Sequence, residues 1–277
     1  MLRVVTDSTS DLEPDKAAGL GVSVVPLTVR FGDEQFRDQL DLAGPEFYTR
    51  LLSSAVNPTT SQPAPAAFAE IYRDLLAAGA EGVVSIHIPP GLSGTLQSAT
   101  LAAREVDEAR VRAVDGGTVS IGLQFLVEAA LRDIDAGCDL DEVVRNVESR
   151  RERVGLYVLF DTLTYLQRGG RIGRAKAFVG GILQTKPVLS VRGEVAPVAN
   201  VRTRQQGYNK LLELVGAEGD LEAVGVMSTD DPAQGEAVAA RLAPLYPGLK
   251  IVQGGIGPVV GTYAGPGAVG VGYLRRG

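Results

Sequence analysis

Two apolar rhythms alternate along the first half of the chain. Short runs rich in β-branched residues at 2–5, 22–29, 82–88 and 111–114 read as buried strands. Between them, over 14–19, 45–53, 65–78, 95–106 and 119–136, apolar residues recur at three- and four-residue spacing, the period of a helix with one buried face. In 65–78, Phe68, Ile71, Tyr72 and Leu75 form such a stripe, and Pro65 suits a first helical turn. Alternation of this kind predicts a mainly parallel sheet covered by helices.

A further helix over 140–151 ends in the run Arg150-Arg151-Glu152-Arg153, the expected boundary between an N-terminal α/β domain, 1–153, and a C-terminal one, 154–277. The second half opens with a strand at 154–160 and a helix at 163–167, followed by the loop Arg168-Gly169-Gly170-Arg171-Ile172-Gly173 and a short helix. Runs at 188–191 and 195–201, joined through Arg192-Gly193-Glu194, read as a hairpin. A helix at 205–214, a strand at 223–228, a helix at 233–245 and a strand at 249–253 complete a mixed α/β unit. No repeat or low-complexity linker interrupts the chain, so the two halves are expected to pack closely.

Composition narrows the classes of function. At 277 residues and 45% hydrophobic, the chain is long enough to bury a sizeable core. A net charge of -6 argues against a nucleic-acid partner, which needs a concentrated basic face. With one cysteine, Cys138, and one histidine, His87, neither an intrachain disulfide nor a Cys/His metal site is expected. The start Met1-Leu2-Arg3-Val4-Val5-Thr6-Asp7 lacks a signal-peptide profile and no apolar run approaches membrane-spanning length, so the expected compartment is the cytoplasm. A membrane role would be confined to transient surface contact.

Two hydroxyl-rich segments precede predicted helices: Thr59-Thr60-Ser61-Gln62-Pro63 and Leu92-Ser93-Gly94-Thr95. A helix entrance offers unpaired N–H groups to an anion, and Gly94 lets a ligand approach the backbone, so the pair suggests one shared anion site. A plain N-cap role would equally account for Ser93. Asp7-Ser8-Thr9-Ser10-Asp11, at the end of the first strand, is either a polar turn or part of a ligand crevice. Arg168, Arg171 and Arg174 concentrate guanidinium groups on one glycine-rich turn, suited to carboxylate or phosphate but also to a solvated helix end. Hydrolase chemistry is poorly served: Gly91-Leu92-Ser93-Gly94-Thr95 is not a nucleophile elbow, and His87 sits inside a strand. The glycine-rich segments 254–258 and 265–270 lack the residues of a nucleotide loop. No catalytic residue, cofactor or metal is therefore assigned, and the residues describe a site that binds an anionic head above an apolar pocket.

Thr6-Asp7-Ser8-Thr9-Ser10-Asp11-Leu12, Val25-Pro26-Leu27, Thr60-Ser61-Gln62-Pro63, Leu92-Ser93-Gly94-Thr95, Gly169-Gly170-Arg171-Ile172-Gly173, Lys186-Pro187 and Gly265-Pro266-Gly267-Ala268 occur in this order along nearly the whole length. In these markers the chain resembles the DegV family. The resemblance implies the two-domain DegV-like (EDD) α/β fold, with a long-chain fatty acid held between the domains. It also implies a role without catalysis of its own, that of the fatty-acid-binding subunit of bacterial fatty acid kinase. Such a subunit presents the carboxylate to a separate ATP-binding kinase subunit, and the acyl phosphate enters phospholipid synthesis. Carried onto this sequence, the ligand set is Thr60, Ser61, Ser93, Gly94, Thr95 and Tyr263, while Arg171 and Arg202 match positions facing the kinase or its phosphoryl group. Tyr263 stands where many members have a histidine; a phenol donates one hydrogen bond and carries no positive charge. Pro89-Pro90 replaces the usual small hydroxyl residues before the Leu-Ser-Gly-Thr turn. The alternatives are a small-molecule lipid sensor and, less favoured, a Ser93-dependent esterase or phosphotransferase.

Overall fold

The computed structural model describes residues 1–178 and 185–277. The N-terminal half runs β1 (Arg3–Asp7), α1 (Pro14–Leu20), β2 (Ser23–Val25), β3 (Thr28–Phe31), β4 (Glu34–Arg37), α2 (Gly44–Ser53), β5 (Thr59–Ser61), α3 (Pro65–Ala77), β6 (Val83–His87), α4 (Thr95–Val106), β7 (Val111–Asp115), α5 (Ser120–Asp135) and α6 (Leu140–Arg151). The C-terminal half continues with β8 (Val154–Leu159), α7 (Thr164–Arg168), β9 (Lys186–Arg192), β10 (Glu194–Val201), α8 (Arg204–Gly216), β11 (Leu221–Ser228), α9 (Pro232–Leu242), β12 (Ile251–Gly255), α10 (Pro258–Ala264) and β13 (Val269–Arg275). A 3₁₀ turn, Gly173–Phe178, occupies the start of the predicted short helix, whose remainder lies outside the described residues.

The expected parallel sheet is present, in the order β2-β1-β6-β7. All five residues of β6 are buried, as helices on both faces require. The C-terminal half forms a mixed six-stranded sheet, β10-β9-β8-β13-β11-β12, including the predicted hairpin of β9 and β10.

Two differences from the sequence reading matter. The run at 22–29 is not one strand: Pro26, which has no N–H to give a ladder, separates β2 from β3. The Ser8 hydroxyl then accepts the Leu27 N–H at 3.0 Å, and β3 leaves to form a separate antiparallel sheet, β4-β3-β5. The second difference is at the C-terminus, where α10 and β13 were not foreseen. Strand β13 lies antiparallel between β8 and β11, the centre of the larger sheet.

The alternation in β13 explains how the halves meet. Val269, Val271 and Tyr273 point to one face, into a core shared with α8 and α9. Gly270 and Gly272 face the other way. A Cβ on Gly272 would lie 2.4 Å from Ile121 Cγ2, so the bare glycine is what lets α5 lie directly on the sheet. Helix α5 also packs on β1 and β6, and one continuous apolar core joins Val4 and Ile86 to Leu156 and Leu274.

Gly272→Ala should therefore push α5 off the sheet and lower stability by about 1–3 kcal/mol, the usual cost of overpacking. Urea denaturation checks this; an unchanged midpoint would show that the α5 contact tolerates the methyl group.

Candidate functional site

Between the six-stranded sheet and the C-terminal ends of the parallel strands lies an apolar cavity. About 810 Å³ of space there is free of protein atoms, the solvent at its open mouth included. Its sheet side is formed by Leu156, Val158, Val191, Val195, Met227 and Gly270. A Cβ on Gly270 would meet Leu156 Cδ1 at 3.2 Å, so this position is left bare inside an otherwise filled layer. Ile88, Leu92 and Val119 close the opposite side, and Val259, Val260 and Ala264 of α10 form a third wall.

Polar groups gather at one place in this wall. The Thr60 hydroxyl and the Tyr263 phenol share a hydrogen bond of 2.5 Å. The Arg171 guanidinium lies over the Tyr263 ring, 5.0 Å from its centroid, and donates to the carbonyls of Leu92 at 3.1 Å and Gly169 at 2.9 Å. Ser93 completes the group; its Oγ sits 2.8 Å from Thr95 Oγ1 and accepts the Thr95 N–H at 3.3 Å. Beyond Thr60, Arg171 and Tyr263, a solvent cleft opens, lined also by Asn57, Thr59 and Arg168. Arg168 donates to Asn57 Oδ1 at 2.8 Å. The apolar cavity thus ends at two hydroxyls, a phenol and a guanidinium, with a basic, solvated cleft outside them.

Local sequence accounts for this convergence. Thr60 is the middle residue of β5, paired with Val29 of β3, so Thr59-Thr60-Ser61 forms a strand rather than the helix entrance expected from sequence. Strand alternation turns Thr60 into the cavity, while Ser61 does not line it. At Gly94 the end of the Gln62 side chain takes the place a Cβ would have, its Nε2 donating to Ser98 Oγ at 3.1 Å. Thr95 is fully buried and reaches the cavity only through Ser93. Gly265, at φ +69° and against the Tyr165 ring, permits the turn that ends α10 behind Tyr263. Arg202 is not part of this group. It is exposed beyond the end of β10, with its backbone N–H bound to Gln206 Oε1 at 3.0 Å.

His87 belongs to a buried network instead. Its Nδ1 pairs with Asp7 Oδ2 at 2.9 Å and its Nε2 with Ser85 Oγ at 2.6 Å, which also accepts from Tyr72 OH at 2.7 Å. Asp7 further accepts from the Thr9 N–H, the Thr9 hydroxyl and the Ile88 N–H. Both imidazole nitrogens are engaged, so the single histidine is not available to Ser93 as a base. Through Asp7 the network fixes Thr9 and Ile88, two cavity-wall residues.

Two more buried carboxyls hold α10. Asp11 Oδ1 accepts the Gly257 N–H at 2.9 Å and its Oδ2 the Ser120 hydroxyl at 2.5 Å; Asp38 Oδ1 accepts the Val259 N–H at 3.2 Å. Burial raises Asp11 to about 7 and Asp38 to about 8, outweighing their hydrogen bonds. Sequence reading singles out Asp11 as a polar turn residue, and Tyr263 of α10 through the family resemblance, but has no signal for Asp38, for the apolar wall residues Val259, Val260 and Ala264 of α10, or for Gly270 of β13. Those are joined to the site only by the packing of the chain's far end. Among the described residues no cluster of metal-ligating side chains occurs, and no helix is long and apolar enough to cross a membrane.

Comparison with known proteins places this arrangement among relatives. The family model described as "Uncharacterised protein, DegV family" matches residues 1–276. The chain is 38% identical to a DegV domain-containing protein of Streptomyces coelicolor over 276 residues, 97% of this chain and 96% of the relative. It is also 38% identical to one from Deinococcus radiodurans, covering 98% and 97%. Among solved structures, a fatty-acid-binding DegV family protein from Thermus thermophilus superposes with a TM-score of 0.91 at 34% identity, over 99% of each chain. DegV of Bacillus subtilis, described as a fatty acid binding protein, superposes at 0.90 with 29% identity, again over 99% of each chain.

The buried carboxyls give a pH dependence of stability whose sign is fixed. An unfolded carboxyl ionises near 4, whereas Asp11 and Asp38 keep their protons in the folded chain to about 7 and about 8. Between those values the native state binds more protons, so this contribution makes stability fall as pH rises. The urea midpoint should be higher at pH 5 than at pH 8, and Asp11→Asn with Asp38→Asn should remove most of the difference. A double variant with the wild-type slope would exclude these two groups.

Proposed function

The chain belongs to the DegV family, and from that premise we propose that it binds a long-chain fatty acid in the cavity between its N- and C-terminal halves, which divide near residue 153. The observation that carries this reading is an apolar cavity ending at Thr60, Ser93, Arg171 and Tyr263. A tail of ten buried methylenes contributes on the order of 8 kcal/mol before ordering costs, so the apolar walls supply affinity. The hydroxyls and the guanidinium supply orientation, holding the carboxylate at the edge of the basic cleft. Membership of the family and its fatty-acid-binding relatives from Thermus and Bacillus support the ligand class.

In this reading the protein is a carrier without chemistry of its own. It presents the carboxylate to a separate ATP-dependent kinase subunit for acyl-phosphate formation. The cleft beyond Tyr263, with Arg168 and Arg171 at its edge, is the path by which a phosphoryl donor reaches the head group. Because Arg171 lies on the boundary between cavity and cleft, it serves both the bound carboxylate and the incoming phosphate. Arg202, exposed and apart from the cavity, is assigned to the partner surface alone.

Protein purified from bacterial cells should carry a non-covalent fatty acid, read by organic extraction and mass spectrometry; a stoichiometric nucleotide or sugar phosphate with no lipid would overturn the assignment. Ser93→Ala removes a hydrogen bond to a charged group, about 1.5–3 kcal/mol, so acyl affinity should fall roughly tenfold to a hundredfold. Unchanged affinity with a lower melting temperature would make Ser93 a cap alone.

With a cognate kinase subunit, ATP and fatty acid, Arg202→Glu should lose acyl-phosphate formation and keep its lipid, whereas Arg171→Glu should lose both. Normal transfer by the Arg202 variant would remove it from the partner surface.

A further inference from the structure

The floor of the cavity crosses the six-stranded sheet on a diagonal. Val195 of β10 pairs with Val191 of β9, and Val191 with Leu156 of β8. Two residues further along β8, Val158 pairs with Gly270 of β13, and Gly270 with Met227 of β11. All six line the cavity, which therefore touches five neighbouring strands and stops short of the sixth, β12. The two ends of this row differ in chemistry. Both turns that carry head-group residues abut the β9–β10 hairpin: a Cβ on Gly91 would lie 2.8 Å from the Gly193 carbonyl oxygen, and one on Gly173 2.6 Å from that of Val195. Ser93 and Arg171 each stand two residues from these contacts, and Arg171 ties the turns together by donating to the Leu92 carbonyl at 3.1 Å. The polar end thus lies on the β10 side, and Met227 is at the other end. Helix α10 runs in the same direction, with Tyr263 at the head group and Ile256, just before its entry, bound through its N–H to the Ser228 carbonyl at 2.8 Å, next to Met227.

We propose that Met227 is the stop against which the methyl end of the acyl chain rests, so that this one side chain sets the chain length the cavity accepts. This rests on the reading of the cavity as an acyl site. Neighbouring strands lie about 4.8 Å apart, so the four steps from β10 to β11 cover about 19 Å, the length of an extended chain of about sixteen carbons. Met227 is only 2% exposed, and its thioether lies over Gly254, its bare partner on β12. A Cβ on Gly254 would sit 3.0 Å from Met227 Sδ and 3.1 Å from Cε, so the side chain reaches from the last strand of the floor onto the edge strand and closes the row. Up to that point each methylene of a bound chain gains apolar contact, about fourfold in affinity. A methylene beyond it must fold the chain back or displace a packed side chain, and the gain is cancelled. Because Gly254 has no side chain of its own, shortening Met227 extends the groove over β12, whereas a bulkier residue moves its end toward Gly270. Neither change touches Thr60, Ser93, Arg171 or Tyr263. Chain-length preference and head-group binding are therefore separable in this cavity.

Delipidated protein equilibrated with an equimolar mixture of saturated fatty acids of twelve to twenty carbons, followed by mass spectrometry of the bound and free acids, reads this preference directly. In wild type, affinity should rise about fourfold per added methylene and stop rising at about sixteen carbons. In Met227→Ala the eighteen-carbon acid should bind about tenfold more tightly than the sixteen-carbon acid, a gain that wild type does not show. Met227→Phe should move the optimum about two carbons shorter. A methionine that merely packs the core would lower the melting temperature on truncation and leave the optimum where it was; that result overturns the proposal. Should the alanine variant not fold, the phenylalanine variant decides alone, and an unmoved optimum there overturns the proposal equally. If wild type binds none of the acids, the acyl reading falls and the stop with it. Binding at every length without an optimum removes only the stop and leaves the acyl reading standing.

Discussion

A bare strand position next to a filled one sets the geometry of this molecule. Gly270 and Gly272 lie two residues apart on the same face of β13, at the centre of the six-stranded sheet. At Gly272 the missing side chain is replaced by Ile121, which draws α5 onto the sheet and ties the two halves into one core. At Gly270 Leu156 and Val158 crowd the place of a Cβ, and these three residues together line the cavity. Close packing makes a cavity of this kind costly in contacts, because the atoms around it lack partners on one side. An apolar molecule of matching shape would restore those contacts, so the interior is incomplete in a chemically specific way.

The polar features follow from enclosing that space. A cavity between two sheets must be closed by segments that belong to neither, and here these are α10, β5 and the turn around Ser93. Their exposed backbone groups need acceptors and donors inside the protein. Asp11 and Asp38 satisfy α10, Arg171 satisfies the Leu92 and Gly169 carbonyls, and Asp7 satisfies the turn after β1 together with Ile88. The same groups that close the cavity therefore bring titratable and hydrogen-bonding chemistry to its wall. One residue can serve the backbone and line the cavity at once, as Ser93 does: it accepts from Thr95 N–H in the manner of a cap while facing the cavity.

Much of the fold was legible because it is local. The apolar periods located α3, α4, α5 and α6 and the strands of the parallel sheet, since burial of one helical face or a whole strand writes a rhythm into consecutive residues. The cluster Leu92-Ser93-Gly94-Thr95 and the arginine turn around Arg171 were legible for the same reason, as short runs of unusual chemistry. The hydroxyl run at Thr59–Ser61 showed its residues but not its conformation, because three alternating positions before a proline fit a strand as well as a helix entrance. Lys186–Arg192 and Glu194–Val201 announced their hairpin through Gly193, whose φ of +70° is a local demand.

What tertiary structure alone decided is which of these local features meet. Thr60 and Tyr263 are 203 residues apart, Asp38 and Val259 221, and Asp11 and Gly257 246, and nothing within either partner's neighbourhood encodes the other. The strand β13 escaped detection because glycine at alternate positions lowers its apolar signal, yet those glycines are there for Ile121 and for the cavity, both supplied by distant segments. Arg171 and Arg202 looked alike as basic residues; only the fold turned one into the cavity wall and left the other in solvent. The sequence by itself determined the elements with a clear apolar rhythm, the net negative charge and the chemistry available, because propensity and burial pattern act over a few residues. The enclosed volume and its polar end arise where separate elements are brought together, a property of packing that no single stretch of chain possesses.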